Sequence, residues 1–247
     1  MSDLILVVPV YNEVSRLDPA PWLEFLAADR SRALIFVDDG SGDGTLAVLE
    51  TIRAAAPAQT SILGLPENRG KAEAVRHGML QALAATVRYA GFIDADLSAP
   101  LSEVSLLQVE LDARPAVSAA FGSRVKLLGR QIVRSERRHY LGRIFATCAS
   151  FALSLPVYDT QCGLKLFRNT PDVRAAFATA FRSKWIFDVE LLARLAESAG
   201  PDVASRIREV PLQHWEERGS SRLRMRDFLL APFELARIRR LYPYRRR

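Results

Sequence analysis

The sequence predicts an α/β protein built on a mostly parallel sheet. Three observations carry that expectation. Short β-branched runs alternate with helix-like segments at a steady pitch, and each run ends at Pro, Gly, Asn or Asp. The chemistry-bearing residues gather after the first, second and fourth runs. In such sheets ligands bind outside the carboxyl ends of the strands.

The runs read as buried strands are 4–10, 33–37, 61–65, 89–93 and 117–121, brief and apolar. Helical patterns fill the intervals at 21–28, 44–56, 71–87 and 101–113, the last with Glu103, Glu110 and Asp112 on its wet face. The second half changes character. A stretch from Arg124 to Arg143 carries seven basic residues against Glu136. After it come a helix over 140–155, an extended piece over 163–167, a helix over 185–195 and a last strand over 208–214. No internal repeat or low-complexity linker interrupts the chain, so one domain over 1–217 and a tail over 218–247 is the economical division.

Composition narrows the class. With 247 residues, 49% hydrophobic and 25% charged, the chain is an ordinary globular mixture, and intrinsic disorder is excluded. The net charge of +6 is unevenly placed: residues 218–247 hold ten arginines against Asp227 and Glu234, leaving the body slightly acidic. A tail of that kind suits an anionic partner. Two cysteines, Cys148 and Cys162, make no disulfide framework. The longest charge-free apolar run, 144–157, is fourteen residues, short of the roughly 20 that span a bilayer. It reads as a core or interfacial helix, and with no signal segment at the start the protein is expected in the cytoplasm.

Four motifs sit at the strand ends. Pro9-Val10-Tyr11-Asn12-Glu13 closes the first strand, and taken alone is a turn. The run of eight from Asp38 to Thr45, DDGSGDGT, closes the second; its small residues allow close backbone approach to a ligand. Asp38 and Asp39 repel unless something pairs with them, and donors on a nucleobase or ribose would do so. The stretch lacks the ligand spacing and terminal Glu of a calcium loop. Asn68-Arg69-Gly70-Lys71 opens a helix, where a cation beside N-terminal amides suits a phosphate. Asp94-Ala95-Asp96 follows the fourth strand, and carboxylates two apart on an extended end point to opposite sides. One can hold a magnesium or manganese ion shared with substrate phosphates while the other reaches elsewhere. Ser98 can also cap the helix behind it.

As an ordered set, PVYNE, DDGSGDGT, NRGKAEAVRHG and DADLSAP resemble the inverting family-2 glycosyltransferases with the GT-A fold, over about residues 4–123. DTQCGLKLF and WIFDVELL are similar to the polyprenyl-phosphate glucosyltransferase branch, with dolichyl-phosphate mannose synthases as near cousins. The resemblance implies a Rossmann-like, mostly parallel central sheet flanked by helices, with the basic segment as a C-terminal helical tail. It implies a nucleotide-sugar site at Pro9, Tyr11, Glu13, Val37, Asp39, Lys71, Asp94, Ala95 and Gln161. Asp96 would bind the metal, Mg2+ or Mn2+, and the catalytic set would be Asp96, Arg124 and Asp159. Acceptor phosphate would meet Arg124, Arg134, Ser135 and Arg137. Cousins that transfer mannose often carry Gln where this chain has Ser98, which leaves a third metal ligand unassigned.

The chemistry agrees with these parts. A divalent ion neutralises the charge growing on a leaving diphosphate. An acceptor phosphate is already a nucleophile and needs positioning cations, whereas an acceptor hydroxyl needs a base, for which Asp159 is the candidate. The basic stretch is nearly all Arg, which favours bidentate oxyanion binding over a merely solvated loop. The expected reaction moves a hexose, glucose from UDP-glucose, to a polyprenyl-phosphate-type lipid. Other readings are a transferase acting on a hydroxyl or carboxyl, and a nucleotide-sugar binder without turnover. In the tail, Met225, Phe228, Leu229, Phe233, Ala236, Ile238 and Leu241 lie among arginines, with Tyr242 and Tyr244 following and Pro232 breaking or restarting the helix. Such a segment suits peripheral contact with an anionic membrane at its cytoplasmic face, or packs on the domain with its basic side solvated. Nucleic-acid binding is disfavoured by the acidic body and the absence of any familiar module.

Overall fold

The computed structural model describes residues 2–218 and 225–243, without the side chains of 137, 138 and 225–229. Strands β1 (Leu4–Val10), β2 (Arg32–Asp38), β3 (Thr60–Gly64) and β4 (Tyr89–Phe92) form a parallel group. Helices α1 (Pro19–Ala27), α2 (Thr45–Ala55) and α3 (Lys71–Ala84) connect them. After α4 (Val104–Ala113), strand β5 (Ala119–Ser123) leads to a short β6 (Gln131–Val133) and then α5 (Glu136–Leu153). Next come β7 (Lys165–Arg168), α6 (Pro171–Ala178), α7 (Phe187–Ala199), α8 (Val203–Arg206), β8 (Ile207–Pro211), β9 (His214–Glu216) and α9 (Met225–Leu241).

Seven strands make one sheet in the order β3-β2-β1-β4-β7-β5-β8. All its pairings are parallel except those of β7, which runs antiparallel to both β4 and β5. β6 and β9 form a second, two-stranded parallel pair. The sheet is covered on both faces, and β1 shows why. Ile5 and Val7 enter one core with α3, α5, α6, α7 and α9, while Leu4, Leu6, Val8 and Val10 enter the other with α1, α2 and α4. Period-two alternation feeds both layers, so a strand buried on both faces reads as a continuous apolar run. Gly78 of α3 lies so close to the sheet that an added Cβ would overlap the methyls of Val7 and Val37.

The expected elements occupy these places with boundary shifts of a few residues. β6, α6, α8 and β9 are additions. β6 and β9 have three residues each and form only by pairing with one another across the chain. Of the two readings of the tail, packing on the domain is what α9 does: Ala231, Leu235 and Ile238 are buried in the core shared with α5 and α7. Tyr242 Oη donates to Glu190 at 3.0 Å and accepts from Arg194 Nε at 3.1 Å. The helix continues through Pro232 instead of breaking there. Of the tail residues singled out, the side chains of Met225, Phe228 and Leu229 and all of Tyr244 lie outside the described residues. No helix among the described residues is long and apolar enough to cross a membrane.

Candidate active site

An open cleft of about 710 Å³ lies at the carboxyl edge of the parallel strands. The loop after β1 brings Pro9, Tyr11 and Glu13 to it, with Glu13 paired to Arg16 at 2.7 Å. Asn12 takes positive φ at 51°, and its side-chain Oδ1 accepts Gly42 N–H while its backbone N–H donates to Ser41 Oγ, locking the first loop to the second. Asp39 lines the cleft, yet its carboxylate is also structural. Its two oxygens accept the amides of Arg69 and Gly70, each at 2.8 Å, so the second loop holds the third.

That arrangement places Lys71 at the start of α3, where its ammonium meets Asp94 Oδ1 at 2.5 Å. Desolvation in the cleft opposes its charge, but Asp94, Asp188 and Asp96 outweigh that and raise its pKa. Asp94 is pressed against Gly163, where any Cβ would overlap the carboxylate. Leu97, between Asp96 and the following turn, adopts φ 49°, and Ser98 N–H donates to Asp96 Oδ1 at 2.9 Å. Burial, and then the charge of Asp94, push the Asp96 carboxyl above the ordinary carboxylate range. A carboxylate burdened in this way gains from a nearby hard cation, so the donor chemistry fits Mg2+ or Mn2+. Among the described residues no group of three or more His, Cys, Asp or Glu could hold a metal alone, so an ion held at Asp96 would draw further ligands from water or substrate.

The opposite wall is basic. Arg124 and Arg134 line the cleft beside Gln161, and a small annex between them is bounded by Asp159, Thr160 and Arg143. Asp159 is buried and bound twice by the Arg124 guanidinium, at 2.7 Å through both Nε and Nη2. Burial raises its pKa, but the Arg124 charge and hydrogen bonds prevail and bring it down to about 2. A carboxylate that acidic is a poor proton acceptor, so Asp159 is not suited to the base role considered for it; it orients Arg124 instead. Glu209 holds Asp159 in turn, receiving its backbone N–H at 2.7 Å.

Two other expected residues stand apart. Val37 is fully buried beneath α3 and does not line the cleft, because alternation along β2 turns its side chain into the core. Ser135 is exposed, its N–H bound to Glu217 at 3.2 Å, and is likewise not part of the cleft lining. Arg137 falls in α5, its side chain outside the described residues. Ala95 and Asp96 are in the lining.

The structure also adds Lys165, Trp215, Glu217 and Arg218, which motif reading passed over, and pairs the first of them with Asp188 of the WIFDVELL stretch. Lys165 is completely buried, its ammonium 2.6 Å from both Asp188 Oδ1 and Cys162 O and flanked by the rings of Phe92 and Phe121. Asp188 lines the cleft, and its other oxygen makes no hydrogen bond among the described residues. Trp215, Glu217 and Arg218 reach the cleft because Ser98 binds the C-terminal segment, its carbonyl accepting Glu216 N–H at 2.9 Å. The only advance signal for Lys165 was a lysine inside an apolar strand. The buried Cys162 thiol is pushed by burial up to about 11, which agrees with a packing role.

Carboxylates, Lys71 and arginines line one cleft at the carboxyl edge of a doubly wound sheet, a setting for an anionic substrate held with a cation. Residues 5–184 match the family described as Glycosyl transferase family 2, and the chain belongs to that family of nucleotide-sugar glycosyltransferases. It is 30% identical over 244 residues to a dolichyl-phosphate beta-glucosyltransferase of Trichomonas vaginalis, covering 94% of this chain and 69% of that one. Against the enzyme of the same description from Drosophila melanogaster the figures are 35%, 77% and 61%, and against that from Saccharomyces cerevisiae 31%, 97% and 75%. A glucosyl-3-phosphoglycerate synthase from Mycobacterium tuberculosis, solved with Mn2+ and UDP-glucose, superposes with a TM-score of 0.63 at 18% identity, covering 95% of this chain and 76% of that one. That likeness establishes the GT-A fold.

Proposed function

We propose that this chain transfers glucose from UDP-glucose to the phosphate of a polyprenyl-phosphate-type lipid, with inversion at the anomeric carbon. The observation that carries the reading is one cleft in which Lys71, Asp94 and Asp96 face Arg124 and Arg134. The names of the three relatives, all dolichyl-phosphate beta-glucosyltransferases, support the donor and the acceptor class. The engagement of Asp159 by Arg124 supports an acceptor that is already anionic, since it withdraws the expected base.

In this reading Pro9, Tyr11, Glu13 and Asp39 hold the base, Asp94 meets the ribose, Lys71 borders the diphosphate, and Gln161 faces the sugar. Asp96 holds the divalent cation, which when bound neutralises charge on the departing diphosphate. Arg124, fixed by Asp159, and Arg134 orient the lipid phosphate. Its oxygen forms a bond to the anomeric carbon as the carbon–oxygen bond to UDP breaks, UDP leaving with the electron pair. No proton has to move, and positioning and electrostatics supply the acceleration. The lipid reaches this cleft from a membrane surface, which the chain contacts peripherally.

The test is release of nucleoside diphosphate from UDP-glucose, UDP-galactose and GDP-mannose in manganese, with and without a short polyprenyl phosphate. Release from UDP-glucose that requires the lipid phosphate is expected, and Asp96→Ala should lower it by at least about 10²-fold. Release that ignores the lipid, or normal turnover in Asp96→Ala, would overturn the assignment.

A further inference from the structure

Among the described residues thirteen large hydrophobic side chains are exposed, and ten of them fall in two segments, 127–151 and 230–241. A distribution that uneven marks a surface with a task. Helix α5 forms its centre. Its inner face, with Phe145, Ala146, Ala149 and Leu153, is in the core. Its outer face is apolar as well: Tyr140, Leu141, Ile144 and Phe151 are exposed, the last by 74%, with Cys148 exposed between them. At 3.6 residues per turn these five positions fall within roughly 100° of arc. A helix apolar on both sides is not satisfied by water on one of them.

The surface continues beyond α5. In the loop before β6, Leu128 is wholly exposed, and on α9, which packs on α5 and α7, Leu230, Phe233 and Leu241 face outward. Exposed cations accompany it: Lys126 beside Leu127 and Leu128, and Arg237 and Arg240 on the same side of α9 as Phe233. On its other side the same helix meets the basic wall of the cleft. Gly142 packs against the Arg134 guanidinium, and Arg143 and Phe145 help to line the annex beside Arg124. One helix therefore separates the cleft arginines from the apolar face, a thickness of about 10 Å.

We infer that the outer face of α5, extended by α9 and the Leu128 loop, is the surface on which this chain rests on an anionic lipid bilayer. The inference rests on the proposed lipid-phosphate acceptor and names the face that receives it: the apolar row enters the headgroup boundary, the cations meet anionic headgroups, and the lipid phosphate rises to Arg134 and Arg124. No described helix can span the bilayer, so the contact is interfacial. A second copy is the poorer occupant, because apposing two such faces brings their arginines together, whereas anionic lipid complements them.

Cys148 supplies the reporter, since the other cysteine, Cys162, is buried. The full-length protein, labelled at Cys148 with a polarity-sensitive fluorophore, is mixed with vesicles of phosphatidylcholine containing a minority of phosphatidylglycerol. A blue-shifted, brighter emission is expected, weaker with phosphatidylcholine alone. In unlabelled protein, the exposed pair Ile144→Glu and Phe151→Glu should cut vesicle co-sedimentation by about tenfold or more. That variant should keep transfer to a short, water-soluble prenyl phosphate but lose it to a long-chain acceptor embedded in vesicles, and Val109→Glu, on another face, should change neither. An unchanged emission, or undiminished co-sedimentation of the double variant, would overturn the surface. So would a self-associating protein whose dimers, and not vesicle binding, disappear in the double variant. Vesicle binding needs no substrate, so a wild type that binds but transfers nothing overturns the acceptor reading and leaves the surface standing.

Discussion

Gly163 and Asp94 show how closely single residues constrain this site. The carboxylate of Asp94 occupies the space a Cβ at position 163 would take, so Gly163→Ala must displace it and break its 2.5 Å pair with Lys71. The carboxylate is the movable party, so the fold should survive. UDP-glucose affinity, read by calorimetry, should fall about tenfold while the melting temperature changes little. Asp159 makes the contrasting case. Its folded pKa, about 2, lies below the ordinary carboxylate value, so its pairing with Arg124 stabilises the protein fully above about pH 4 and progressively less as the pH falls towards 2. Asp159→Asn leaves the Arg124 charge unpaired and should cost about 3–5 kcal/mol in urea unfolding at pH 7, with a smaller gap between variant and wild type at pH 3. At this scale the sequence displayed Asp94, Asp96 and Lys71 plainly, because strand ends and helix starts are local signals. It could not display that Arg124 consumes Asp159, thirty-five positions away, nor that Val37 points into the core.

Among the elements, the four parallel strands and their connecting helices were legible because each buries apolar residues on its own period. β6, β9 and the direction of β7 were not, since three- and four-residue strands acquire their state from partners far along the chain. The reversed β7 matters to the site: it carries Lys165 beneath the cleft, where it meets Asp188 near the start of α7. That pair ties strand to helix. Lys165→Met should destabilise the protein by about 3–5 kcal/mol because Asp188 is left buried and uncompensated, whereas Lys165→Met combined with Asp188→Leu should recover much of the loss. Equal destabilisation in the single and double variants, measured by urea titration, would refute the coupling.

Across the whole molecule, two apolar layers fix one sheet, and that sheet gathers four separated motifs along a single edge. The motif order made the fold class and the donor-side chemistry readable, whereas for α9 composition left packing on the domain and contact with a membrane surface undecided. Its arginine-rich composition masks the spacing of Ala231, Leu235 and Ile238, which bury one face. The result is a body with carboxylates, Lys71 and arginines lining one cleft, and an apolar helix face behind Arg134. The reaction assigned to this cleft is direct, inverting transfer to a lipid phosphate. It is tested most directly by incubating the protein with UDP-α-glucose, manganese and a short polyprenyl phosphate and determining the anomeric configuration of the product by NMR. Inverting transfer gives a β-linked glucosyl phosphate formed in step with UDP. An α-linked product, or UDP released with free glucose and no glycosylated lipid, would contradict it.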